Sequence, residues 1–111
     1  MEKAIHTDIL ESKRIDSITV VRENPDNYPK GKSNIYAKDI DNNVIWSAEL
    51  PLIGDTYCNP IQWNKGINKD AISWDDFFSE SNNSFVVSSW NCFTVSIDYK
   101  NGKIIHKELT K

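Results

Sequence analysis

The stretch that most constrains how this chain can fold is Phe85 to Leu109, FVVSSWNCFTVSIDYKNGKIIHKEL. Phe93, Val95, Ile97 and Tyr99 alternate with Thr94, Ser96 and Asp98, the period of two that places one set of side chains on a buried sheet face. Asn101-Gly102 follows, and both residue types tolerate positive φ, so the chain is expected to reverse there before Lys103 to Leu109 forms the next strand. Hydrophobic matching selects the register. A three-residue loop, Lys100 to Gly102 with Gly102 left-handed, pairs Phe93 with Leu109, Ile97 with Ile105 and Ser96 with His106. A two-residue loop sets Ile97 against His106 and Val95 against Glu108, so the three-residue loop with a bulge at Gly102 is predicted. The buried face of the hairpin is then Phe93, Ile97, Ile105 and Leu109. A third strand, Phe85 to Trp90, leads into it.

The rest of the chain supplies further hairpins. Residues 4–10 fit helix or strand equally. Ile15 to Arg22 is a β-branched strand, with Lys13-Arg14 expected in a turn before it. Pro25, Pro29 and Gly31 make residues 23–33 an exposed loop with Tyr28 at its tip. Ile35 to Leu50 is a second hairpin, in which a turn at Asn42-Asn43 pairs Ile35 with Leu50, Ala37 with Ala48 and Asp39 with Trp46. Residues 51–72 are mostly loop, with a short strand at Ile61 to Asn64. Ser73 is placed to cap a helix of one to two turns ending near Ser81, with Asp75 and Asp76 in its first turn and Ile72 stapled to Phe77. The expected fold is therefore mainly β, a single domain over 1–111. It is an antiparallel sheet of hairpins, a half-barrel or sandwich, with one short helix near 74–81.

At 111 residues the chain can bury a core without metals or disulfides. Cys58 and Cys92 lack a CxxC partner or metal-ligand spacing, and are expected as reduced thiols, a Cys58–Cys92 bridge being the alternative. The first residues lack a basic segment followed by an apolar one, and no apolar run approaches the roughly 18 residues a membrane span requires. A cytoplasmic protein without membrane association is expected. Catalytic candidates are few. His6 and His106 are the only imidazoles, and the register that places Ser96 opposite His106 leaves Cys92 beyond Leu109, out of reach for a nucleophile–base pair. Asp75 and Asp76 are adjacent on a helical turn and point apart, unlike a paired-carboxylate site. With no glycine-rich phosphate loop and no HExxH pattern, the sequence argues against an enzyme and calls for no cofactor.

Charge layout is more informative. Between Asp39 and Glu80 there are 8 acids against Lys65 and Lys69, a net charge of −6, and the same stretch holds Trp46, Trp63 and Trp74. Phosphate binding needs clustered Lys and Arg, so nucleic acid is excluded as the natural partner. A basic protein surface suits the segment. Asp55, Tyr57, Trp63, Trp74, Asp75, Asp76 and Glu80 combine aromatics with carboxylates in its irregular part, and aromatic anchors ringed by charge are what tight protein interfaces use. A different class of function competes: a small ligand- or carbohydrate-binding β module with an exposed Trp as stacking platform.

Two runs, NIYAKDIDNNVIWSAELP and SSWNCFTVSIDYKNGKI, carry Tyr36, Asp39, Trp46, Ala48, Glu49 and Pro51, then Ser89, Trp90, Ile97, Asp98, Gly102, Lys103 and Ile104. In this pattern the chain resembles small β-rich bacterial immunity proteins of polymorphic toxin and contact-dependent growth inhibition systems. The turn Asn42-Asn43 departs from it, since related turns often carry Gly. The resemblance implies a cytoplasmic inhibitor that binds a cognate toxin domain and covers its active site; a monomer is expected. Many such toxins are basic nucleases, RNase A-like ones among them.

Overall fold

The computed structural model describes residues 4–110, and the chain is mainly β. Among the described residues, nine strands form three antiparallel sheets. The first sheet has the order β1 (Ile9–Ile15), β2 (Ile18–Glu23), β3 (Ile35–Lys38) and β4 (Val44–Ser47); β5 (Lys65–Ile67) and β6 (Phe78–Glu80) pair alone; β7 (Ser84–Ser88), β8 (Phe93–Asp98) and β9 (Ile104–Leu109) form the third. The first and third sheets stack face to face. Val20, Ile35, Ala37 and Trp46 from one meet Phe85, Val87, Val95 and Ile97 from the other, with Tyr57, Ile61 and Tyr99 between them. Trp46 lies nearly parallel to Phe85, ring centroids 6.4 Å apart. Beyond β4 the chain runs on beside the start of β9, where the Glu49 N–H donates to the Gly102 carbonyl at 2.8 Å and the Ile104 N–H to Glu49 Oε1 at 2.9 Å.

The closing meander keeps the expected outer register, Phe93 with Leu109 and Ser96 with His106, and Gly102 is left-handed at φ 74°. A Cβ there would stand 2.5 Å from the Trp46 ring, so the turn needs Gly for space as well as for conformation. The loop is one residue longer than predicted. Asp98 rather than Tyr99 exchanges bonds with Lys103 and Gly102, Tyr99 instead capping Asn83. The bulge between Ser96 and Ile97 therefore opposes Ile97 to Ile104, not Ile105. Ile104 packs on the core, while Ile105 and Leu109 face out. That corrects half of the predicted buried face.

Four other expectations change. Lys13 and Arg14 lie within β1, and the reversal comes at Asp16, which takes the left-handed φ of 54°. In the second hairpin Ala37 opposes Trp46 and Tyr36 opposes Ser47, two residues from the predicted register. Asp39 causes this: its carboxylate accepts the N–H groups of Asp41 and Asn43, both at 2.9 Å, and builds a wider turn with Asn42 left-handed at φ 66°. The predicted helix near 74–81 shrinks to one 3-10 turn, Trp74–Asp76, and the short strand lies at Lys65–Ile67 rather than Ile61–Asn64.

The ambiguous start of the chain is a strap on the outer face of the first sheet. Glu23, fully enclosed, accepts the backbone N–H groups of Ile5, His6 and Thr7 at 2.7, 3.0 and 2.8 Å, and the Tyr36 hydroxyl donates to its other side. Burial pushes this carboxyl up, and the N–H groups of Ile5 and Thr7, the Tyr36 hydroxyl and the N–H of His6 outweigh it, leaving it below its ordinary value.

Candidate protein-binding surface

The segment from Ile67 to Glu80 folds as it does because Asn68 occupies it twice. Its N–H donates to the Phe77 carbonyl at 2.7 Å, and its Nδ2 to the Asp76 carbonyl at 3.1 Å. Those carbonyls are committed to the neighbouring strand, so the turn begun at Trp74 cannot propagate as a helix. Phe78 instead pairs with Ile67, Ser79 with Gly66 and Glu80 with Lys65. Ser73 makes no backbone cap; its hydroxyl donates to Asp76 Oδ2 at 3.3 Å. The predicted staple is absent, Ile72 being 97% exposed.

This corner gathers three aromatic rings. Trp74 stacks on Phe77 with centroids 4.9 Å apart, and Phe78 meets Trp74 edge-on at 5.8 Å and Phe77 at 5.0 Å. Such pairs hold their geometry through quadrupole contacts as well as area. Phe77 and Phe78 are half-buried, whereas Trp74 is 64% exposed. Two shallow grooves flank Trp74, and both are bounded by Leu109 and Thr110 at the end of β9. An apolar strip of Ile72, Trp74 and Leu109 results, beside exposed carboxylates at Asp70, Asp75 and Asp76.

Of the residues singled out from sequence, Trp74, Asp75 and Asp76 lie together on this surface. Glu80 is exposed nearby, but its Oε1 is engaged by Lys65 at 2.8 Å. Trp63 is half-buried against Phe85, centroids 6.1 Å apart, with the Lys13 ammonium 5.9 Å from its ring. Asp55 and Tyr57 are buried, and this corrects their assignment as contact residues. Asp55 Oδ1 accepts the N–H groups of Thr56 and Asn91 at 2.8 and 3.2 Å, tying the 55–57 segment to the turn after β7. The Tyr57 hydroxyl donates to the Glu49 carbonyl, and the Tyr57 N–H donates to Asn34 Oδ1 at 3.0 Å. Burial drives the Tyr57 hydroxyl far up, with the charges of Asp55 and Glu49 adding to it. Both residues join the two sheets.

Sequence reasoning missed Ile72, Phe77, Phe78 and Leu109 as parts of the surface. The spacing Trp74-x-x-Phe77 was a usable signal, since it stacks two rings across a single turn. Leu109 offered none, because it keeps its predicted partner Phe93 and the pairing pattern read it into the buried face. A further exposed tryptophan, Trp90, is 73% accessible on the turn between β7 and β8.

Other chemistry finds little purchase. Cys58 is half-buried and Cys92 exposed at a left-handed φ of 70°, both as free thiols. His106 meets Glu108 on its own strand at 2.7 Å rather than Cys92. Among the described residues, no group of His, Cys, Asp and Glu is arranged to hold a metal ion, and no helix is long and apolar enough to cross a membrane. Set beside known proteins, the chain matches no family model, no curated protein and no solved structure.

Proposed function

We propose that this chain is an immunity-type inhibitor, a cytoplasmic monomer that binds a cognate toxin domain and covers its basic active-site cleft with the Ile72–Asp76 corner. One observation carries the reading: an exposed tryptophan braced by two phenylalanines, with Asp75 and Asp76 unshielded beside it. A braced aromatic enters a partner's pocket at low entropic cost. The neighbouring carboxylates draw in a cationic cleft and pair with its Lys and Arg. The similarity of the 34–51 and 88–104 segments to immunity proteins points the same way, and a nuclease, whose cleft must attract phosphate, is the partner class such a surface fits.

Co-expression tests it directly. The chain should co-purify with the toxin domain encoded beside it, block that domain's activity in a purified assay, and protect cells producing it. Loss of all three would remove the proposal. A carbohydrate module using Trp74 as a platform is the second reading, favoured by that ring's exposure. Saturable tryptophan quenching by an oligosaccharide, with no protein partner captured, would support it.

A further inference from the structure

A second concave surface lies on the outer face of the first sheet, between the strap and the loop that follows β4. Its volume is about 610 Å³, within the range of roughly 300–1,000 Å³ typical of small-molecule sites. Ile5, Leu50, Leu52 and Ile53 give it apolar walls, with buried Tyr36 among the lining residues. Ile53 is 98% exposed and Leu52 48%, an apolar loop tip left in solvent beside a groove. The lining carries one ammonium, that of Lys32, beside His6, and among the described residues no carboxylate, although the chain as a whole is net −3. Glu23, the nearby acid, is enclosed and taken up by the strap N–H groups.

The wall on the strap side is built in place. Three N–H bonds to Glu23 fix the backbone of Ile5, His6 and Thr7, and the His6 ring stands edge-on to Tyr28 at 5.1 Å. Opposite it, Gly54 at φ 82° turns the loop. An apolar trough with a cation at its rim accepts an apolar body and an anionic end, the body displacing water from the trough while the head meets the ammonium.

We propose that this groove binds a small amphipathic carboxylate, an apolar chain or ring of roughly eight to ten carbons with one anionic end. The site is separate from the Trp74 corner, and its occupancy does not depend on a toxin partner.

The test is titration of the isotopically labelled full chain with octanoate, followed by amide NMR. Saturable one-to-one shifts are expected at Ile5, Lys32, Leu52, Ile53 and Gly54, and octylammonium should give none of them. Lys32→Glu should weaken octanoate binding by about fivefold or more, from the loss of attraction and the gain of repulsion. Ile53→Asp, at a fully exposed position, should abolish saturation while leaving the melting temperature unchanged. Absence of saturable shifts, equal response to octylammonium, or shifts centred instead on Trp74 and Leu109 would each overturn the proposal.

Discussion

Two carboxylate-bearing regions of this protein use the same functional group in opposite ways. Around Glu23 the carboxylate is enclosed, and backbone N–H groups and a tyrosine hydroxyl surround it. At the Trp74 corner Asp75 and Asp76 stand in solvent, the Asp76 carboxylate accepting a bond from the Ser73 hydroxyl. A buried carboxylate with donors on every side organises chain, because each donor would be costly to strand. An exposed one contributes little to stability and remains available for a partner. Counting acids along the chain does not separate these uses; enclosure and donors do.

The sharpest way to break the contrast is to remove Glu23. Glu23→Ala strands the N–H groups of the strap and the Tyr36 hydroxyl, and should cost roughly 3 kcal/mol in urea denaturation. A loss below about 1 kcal/mol would mean that the strap does not depend on the carboxylate. Acid gives the same information reversibly. Because the folded carboxyl sits below its ordinary value of 4.5, its stabilisation is complete above that pH and is lost as pH falls through the lower folded value. The stability gap between wild type and Glu23→Gln should therefore hold from pH 7 down to about 5 and close in stronger acid.

At the other region the ordering reverses. Trp74→Ala should lower affinity for a protein partner by about 2 kcal/mol, roughly thirtyfold, measured by calorimetry. It should move the urea midpoint little, because most of the ring is already in water. Loss of stability comparable to that of Glu23→Ala would show that the aromatic corner is scaffold. Asp55→Asn gives the smallest effect. Among the described residues, the Thr56 and Asn91 N–H groups both bond Oδ1 of this buried side chain, while Oδ2 is enclosed without a hydrogen bond. Replacing the Oδ2 position should therefore change stability by under about 1 kcal/mol and leave partner association unaltered.

How much of this was legible in sequence follows from where the determining interactions lie. The alternation through Phe93–Tyr99 and the need for Gly at 102 are local, and they located a meander whose outer register holds at Phe93 and Leu109. The place of Ile105 was not legible, since an extra residue one pair from the turn gives Ile97 the partner Ile104 instead. Asp39 defeated the second hairpin's register in a similar way, by capturing two turn N–H groups that a pattern of apolar residues does not reveal. The acidic segment read as one surface because charge was counted without depth. Asp55 and Tyr57 fell inside through long-range bonds to Asn91, Asn34 and Glu49, contacts 8 to 36 residues away. Trp74 and its two acids stayed outside because the Asn68 bonds limit the helix to one turn.

The most direct test is the association kinetics of the Asp75→Lys/Asp76→Lys variant with the toxin domain, by stopped flow at low and high ionic strength. The expected result is an association rate reduced by about tenfold at low salt, converging on wild type as salt is raised, with the dissociation rate less affected. Equal association rates at low salt, with the variant folded and binding, would contradict it.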